Sequence, residues 1–292
     1  MTPTSIGPTR AARGATVPSI LYGTAWKAER TGALTAEAIG CGFRGIDTAN
    51  QRKYYMEAGA GEGIWSAIAA GTVTRDQLFL QTKFTPKSGQ DDRLPYDPNA
   101  GVAVQVHQSI DSSLEHLGVT RLDSYVLHGP AYTTGLTDAD WQAWRAMEDA
   151  AQAGRTSFIG VSNVSAEQLA MLVAGAKIAP AFVQNRCFAR TQWDAGVRAF
   201  CAAHDIVYQG FSLLTANREV LASPRVREIA KRHGKTLAQV VFRFALEIGM
   251  MPLTGTSDSQ HMRQDLDLFD FALSGEEQKI MLEAGGEALV KP

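Results

Sequence analysis

Short apolar, β-prone runs recur along almost the whole chain, and segments of helical period lie between them. The runs read Ser19-Ile-Leu-Tyr-Gly23, Phe43-Arg-Gly-Ile46, Leu78-Phe-Leu-Gln-Thr82 and Leu122-Asp-Ser-Tyr-Val-Leu127. Four more follow: Ser157-Phe-Ile-Gly-Val161, Ala181-Phe-Val-Gln184, Ile206-Val-Tyr-Gln-Gly210 and Met250-Met-Pro-Leu253. Val106, Ile110, Leu114 and Leu117 fall four, four and three apart. Leu237, Val240, Val241, Phe244 and Ile248 form a second apolar stripe, the pattern of a helix packed on a core. Ser165-Ala-Glu-Gln168 and Ser274-Gly-Glu-Glu277 fit capping boxes, in which serine and the fourth residue satisfy free N–H groups.

Strand then helix, about eight times over, predicts parallel βαβ units. Eight units match a closed (β/α)8 TIM barrel, whose usual size is about 250 residues. No Pro/Ser-rich linker interrupts the chain, so residues 1–292 are expected to form one α/β domain. The rival is an open, doubly wound sheet, which would carry GxGxxG after its first strand. Here the first strand leads into Gly23-Thr-Ala-Trp-Lys27 instead. The nearest approximation, Gly59-Ala-Gly-Glu-Gly63, follows Tyr55 rather than a strand. Residues 1–18 read either as a small hairpin plugging the bottom of the barrel or as a frayed terminus.

Composition narrows the function classes. Of 292 residues, 45 % are hydrophobic and 20 % charged, ordinary globular values that argue against disorder. With 28 Lys and Arg against 30 Asp and Glu, the chain lacks the basic excess of a nucleic-acid module. No run approaches the ~20 apolar residues of a membrane span, and the first residues lack a signal pattern. Cys41, Cys187 and Cys201 are widely spaced and form no CxxC pair. A disulfide framework or a metal site is therefore not expected, and the cytoplasm is the default compartment. A small-molecule ligand, no nucleic-acid or membrane partner, and a monomer or weak homo-oligomer complete the expectation.

In such a barrel, chemistry belongs where strands end and βα loops begin. Strand two ends in Ile46-Asp47-Thr48, strand three in Gln81-Thr82-Lys83 and strand four in Leu127-His128-Gly129. A carboxylate, an ammonium and an imidazole thus converge on one face. Each has a plainer role: Asp47 as a helix cap, Lys83 as a solvated loop end, His128 as a satisfied strand-end histidine. A fourth group lies in Lys53-Tyr54-Tyr55-Met56-Glu57. A phenol with pKa near 10 is a poor acid at neutral pH, but a neighbouring ammonium stabilises its phenolate and an imidazole can share its proton. The plainer role for both tyrosines is packing at the barrel rim.

Phe43-Arg-Gly-Ile-Asp-Thr-Ala49, Leu78-Phe-Leu-Gln-Thr-Lys83, Asp123-Ser-Tyr-Val-Leu-His128 and Gly160-Val-Ser-Asn163 occur together and in order. From about Tyr22 to Leu282 the chain resembles the aldo-keto reductase superfamily. The resemblance implies NADPH-dependent reduction of an aldehyde or ketone, with Asp47, Lys83 and His128 as three members of an Asp-Tyr-Lys-His tetrad. The family tyrosine usually follows the aspartate by five positions, where this chain has Arg52, which cannot give up a proton to a carbonyl at neutral pH. Tyr55-Met-Glu57 resembles the end of that motif displaced by three residues, so Tyr55 is assigned as the acid and Tyr54 is the alternative. The expected scheme has Lys83, held by Asp47, lowering the phenol pKa.

By the same resemblance Ser162, Asn163 and Gln184 would hold the nicotinamide carboxamide. A capping pair and an ordinary strand-end glutamine are the bland readings. Phe211 would stack on the nicotinamide ring, or simply belong to the core, and Ser212 and Leu214 would serve the pyrophosphate. Around the adenosine 2′-phosphate the family has Pro-Lys-Ser and then an arginine; here Leu253 replaces the lysine and His261 stands near the arginine position. Thr254, Thr256 and Arg263 remain as phosphate partners, with Gln264 and Asp265 beside the adenine. NADPH is expected by family habit and NADH is the alternative. Trp26 resembles a pocket tryptophan, and Gly129 should open space beside the carbonyl. A short loop from Ala131 to Asp138 and an end at Pro292 lead to the expectation of a wide, exposed pocket. Two other functions share these residues: a cofactor-binding regulatory subunit with little turnover, and, much less well supported, a metal-dependent hydrolase using His128 and Asp47.

Overall fold

A computed structural model describes residues 9–285. The strands are β1 (Thr9–Ala12), β2 (Ala15–Pro18), β3 (Leu21–Gly23), β4 (Gly45–Asp47), β5 (Phe79–Phe84), β6 (Leu122–Leu127), β7 (Thr156–Ser162), β8 (Phe182–Arg186), β9 (Val207–Phe211) and β10 (Met251–Thr254). The helices are α1 (Thr31–Cys41), α2 (Glu57–Ala69), α3 (Val102–Leu117), α4 (Asp138–Gln152), α5 (Ala166–Gly175) and α6 (Ala195–Ala203). After them come α7 (Arg218–Ala222), α8 (Pro224–His233), α9 (Leu237–Glu247), α10 (Ser259–Leu266) and α11 (Gly275–Ala284).

Strands β3 to β10 close into one parallel barrel, with β10 pairing β9 on one side and β3 on the other. All eight sequence runs become barrel strands, and both capping boxes form, at Ser165/Gln168 and Ser274/Glu277. The apolar stripes do what their spacing predicts. Val106, Ile110 and Leu117 of α3 and Val240, Val241 and Phe244 of α9 are buried between barrel and helical ring.

Residues 9–18 form an antiparallel hairpin. Its two-residue turn has Arg13 and Gly14 both at positive φ (43° and 79°), the geometry that matches the natural twist of a tight hairpin. Ala12 and Val17 pack with Leu21, Phe79, Phe182, Val207 and Met251 at the N-terminal ends of the strands. Arg10 and Arg13 tie the hairpin to Gly249 O and Pro180 O. The bottom of the barrel is thereby covered, and its polar chemistry is concentrated at the opposite mouth. Residues 1–8, the rest of the N-terminal segment, lie outside the described residues.

The glycine run at 59–63 has a packing origin. It lies in α2, and a Cβ on Gly61 would stand 2.0 Å from His116 O. A Cβ on Gly63 would stand 2.3 Å from Gly32 O. These glycines let α2 approach α3 and the N-terminal turn of α1 closely.

Candidate active site

Asp47 ends β4 and Lys83 lies near the end of β5, both pointing into the barrel and essentially inaccessible to solvent (1 % and 0 % exposed). The Lys83 ammonium donates to Asp47 Oδ1 (2.8 Å), Asp47 Oδ2 (2.7 Å) and Thr48 O (2.8 Å). Its three hydrogens are thus all engaged. Burial pulls the Lys83 pKa down, and the Asp47 carboxylate opposes that pull. Asp47 Oδ1 also accepts from Gln81 Nε2 (2.7 Å) and Gln184 Nε2 (2.9 Å). Gln209 links these two glutamines, accepting from Gln81 Nε2 at 2.7 Å and Gln184 Nε2 at 2.9 Å. The ion pair is therefore clamped by a fully buried amide network.

The two tyrosines part company. Tyr54 packs against Trp26 (centroids 4.0 Å apart, rings tilted by 33°) and carries Lys53 Nζ over its ring at 5.0 Å. Trp26 is 75 % exposed, so this pair forms an outer rim. Tyr55 faces inward instead. Its ring lies 5.3 Å from Lys83 Nζ and meets the His128 ring edge-on at 6.1 Å. Its hydroxyl has no hydrogen-bond partner among the described residues. Arg52, at the usual tyrosine position, is exposed.

The net shift on the Tyr55 phenol is upward, not the downward one expected. Burial and the Asp47 carboxylate push it above its ordinary range. Tyr55 is thus a neutral O–H donor. His128 is also neutral: burial, with Lys83 nearby, drives its pKa down to about 3. Its backbone N–H donates to Phe84 O and its Nδ1 sits 2.6 Å from Thr85 Oγ1.

Farther round the mouth, Asn163 adopts positive φ (54°) and its Nδ2 donates to His128 O (2.8 Å) and Ser162 Oγ (3.2 Å). Ser162 Oγ donates to Gln184 O. Asn163 Oδ1 and Gln184 Oε1 accept no hydrogen bond among the described residues. Phe211 ends β9 half-buried, and Ser212 turns the chain at positive φ (57°). The N–H groups of Leu213 and Leu214 make no hydrogen bond among the described residues. Gly129 follows His128, and a Cβ there would touch Asn163 and Ser162 at 3.5 Å, so the space it leaves is that of a small side chain.

Past β10, the structure brings together Thr254 and Asp265, for which separate roles were expected. The buried Thr254 hydroxyl donates to Asp265 Oδ2 at 2.6 Å and is not turned outward to a phosphate. Thr256 is half-buried, with Oγ1 accepting from Asp258 N. His261 is exposed in α10, Gln264 is half-buried beside it, and Arg263 turns toward Ser259 and Cys41. The described residues stop at 285, so the tail that bears on the width of the pocket lies outside them.

Burial raises the Asp265 pKa to about 6, against the pull of Thr254. A carboxyl whose folded pKa exceeds its unfolded value binds protons more tightly when folded, so stability falls as pH rises between about 4 and 6. Asp265→Asn removes the burial penalty. The variant is expected to be more stable than the parent by about 1–3 kcal/mol at pH 8, with the gain shrinking toward pH 4. Urea unfolding at both pH values checks this; an equal gain at both counts against the assignment.

Sequence reasoning missed Gln81, Gln209 and Thr85. A signal exists for two of them: Gln81, Lys83 and Thr85 fall at every second position of a β-prone run, so all three share one face of the extended chain.

A closed parallel barrel with one covered end, and a phenol, imidazole, ammonium and carboxylate at the other, defines a barrel enzyme. Residues 21–284 match the model of the aldo/keto reductase family, and the chain belongs to that family of oxidoreductases. It is 32 % identical over 254 residues to the aldo-keto reductase AKR2E4 of Bombyx mori, covering 82 % of this chain and 77 % of the relative. It is 33 % identical over 273 residues to a D-galacturonate reductase of Fragaria ananassa, covering 87 % and 81 %. The crystal structure of the Bombyx mori enzyme in complex with NADP superposes with a TM-score of 0.82 at 27 % identity, covering 96 % of this chain and 93 % of that one. Among the described residues no helix is long and apolar enough to cross a membrane.

Proposed function

We propose that the protein reduces the carbonyl of an aldehyde or ketone to an alcohol with NADPH as the reductant. The observation that carries this reading is the approach of a neutral Tyr55 to Lys83 and His128, beside an Asp47 that holds the ammonium. When bound, the reduced nicotinamide supplies the hydride. Tyr55 donates its hydroxyl proton to the oxygen on which negative charge develops. The Lys83–Asp47 pair stabilises the resulting phenolate, and neutral His128 hydrogen-bonds the same oxygen. Such preorganised donors act where charge grows, which is where rate is gained.

The residues present fit a dinucleotide. Asn163 Oδ1 and Gln184 Oε1 are unfilled acceptors suited to a carboxamide NH2. Phe211 supplies a face for the nicotinamide ring, while the unpaired N–H groups of Leu213 and Leu214, beside Ser212, suit a pyrophosphate. Support for NADPH over NADH comes from the NADP complex of the Bombyx mori relative. The adenosine end of this chain gives that preference little cationic help. Leu253 stands where a lysine is usual, and the Arg263 guanidinium is engaged within α10 and with Cys41.

Quenching of tryptophan fluorescence by NADPH and NADH, followed by turnover on a panel of aldehydes and ketones, tests the reading. Saturable binding of NADPH and consumption of reduced cofactor with at least one carbonyl class are expected. The preference for NADPH is expected to be within about tenfold, the size of one missing charge-assisted contact. Binding without turnover on any carbonyl would favour the regulatory subunit.

A further inference from the structure

His128 has two distinct ring nitrogens, and which one carries the proton decides what it offers a bound molecule. With the ring held neutral, the tautomer rather than the charge is the variable. Nδ1 lies 2.6 Å from Thr85 Oγ1, and Thr85 is buried, with no other hydrogen bond of its hydroxyl among the described residues.

Two arrangements share that distance. If Nδ1–H donated to Oγ1, the hydroxyl hydrogen would be buried with no acceptor. If the hydroxyl donates to Nδ1, only oxygen lone pairs go unused, and buried acceptors tolerate that better than buried donors do. The second arrangement puts the imidazole proton on Nε2. That nitrogen has no partner among the described residues, as the Tyr55 hydroxyl has none. The backbone that carries the ring is held as well: the His128 backbone N–H donates to Phe84 O, and its backbone carbonyl accepts from Asn163 Nδ2.

We propose that Thr85 is a positioning residue whose hydroxyl, by donating to His128 Nδ1, fixes the imidazole as the Nε2–H tautomer and so presents an N–H donor to the substrate's carbonyl oxygen. The donor role toward the carbonyl rests on the reductase reading; the tautomer does not. One short extended segment then sets both partners of the reacting oxygen. Lys83 supports the phenolate left on Tyr55, and Thr85, two residues on, turns His128 into a donor.

The test reads the tautomer directly. In protein labelled with 15N-histidine, long-range proton–nitrogen correlation distinguishes the two ring nitrogens, and His128→Asn identifies the relevant signals. The parent and Thr85→Ser are expected to show the Nε2–H form near neutral pH. Thr85→Val is expected to show a mixture or the Nδ1–H form, with kcat about tenfold lower, NADPH affinity unchanged and Thr85→Ser close to the parent. An Nδ1–H signal in the parent overturns the proposal without any variant having to fold. So does a Thr85→Val enzyme that keeps the parent's tautomer, or one that loses it while keeping the parent's kcat. If the parent turns over no carbonyl, the reductase reading fails and the tautomer measurement still decides the role of Thr85.

Discussion

Tyr55→Phe is expected to lower kcat on the order of a thousandfold while leaving the affinity for NADPH unchanged. The substitution removes one oxygen and keeps the ring that packs against His128 and Lys83. What disappears is the proton delivered to the developing alkoxide, and a thousandfold corresponds to about 4 kcal/mol of transition-state stabilisation. Tyr54→Phe is the internal control. Its ring packs against Trp26 at the outer rim, so the loss of its hydroxyl is expected to leave kcat within about twofold of the parent, the range of ordinary surface changes. Steady-state kinetics and fluorescence titration on the two variants decide the matter. A fully active Tyr55→Phe would remove Tyr55 from the chemistry, and an inactive Tyr54→Phe would transfer the role.

Lys83→Met is expected to abolish turnover and also to destabilise the fold by about 3–5 kcal/mol. The methionine fills most of the volume, so a cavity is not the cause. Asp47 remains charged in a site without solvent, keeping the bonds from Gln81 and Gln184 to Oδ1 and losing both contacts from the ammonium. The cost belongs to the orphaned carboxylate, and that can be separated from catalysis. Combining Lys83→Met with Asp47→Asn removes the second charge and is expected to recover most of the stability with no recovery of turnover. Urea unfolding of the single and double variants, read beside kcat, makes the separation. If Lys83→Met alone unfolds at the parent's denaturant concentration, the pair does not carry opposite charges in the fold.

The fold was legible because its signals are local and repeated. β6 coincides with its sequence run, and the other strands shift by a residue or two, because the last ladder partner rather than the run sets the end. The carboxylate, ammonium and imidazole were legible for a related reason: a polar residue at the end of an apolar strand stands out. The choice between Tyr54 and Tyr55 was not decided by pattern, since adjacent residues of one loop carry the same signal. What separates them is tertiary, the exposed Trp26 ring taking one and the barrel mouth the other. The upward shift on Tyr55 was not legible either, because its causes, burial and the Asp47 carboxylate, are set by tertiary packing. Thr254 and Asp265 lie eleven residues apart with α10 between, and their contact is a product of that helix's docking.

The closure of the barrel through β10 has a consequence for how the molecule is made. Until about residue 254 has left the ribosome, β3 and β9 are unpaired edges, exposed to the wrong partners. The mouth cannot be assembled in halves, because its walls come from the first barrel strand and from the last. Competence to bind a ligand therefore arrives late and all at once, and a chain cut short by a few dozen residues is a template for aggregation rather than a weaker enzyme.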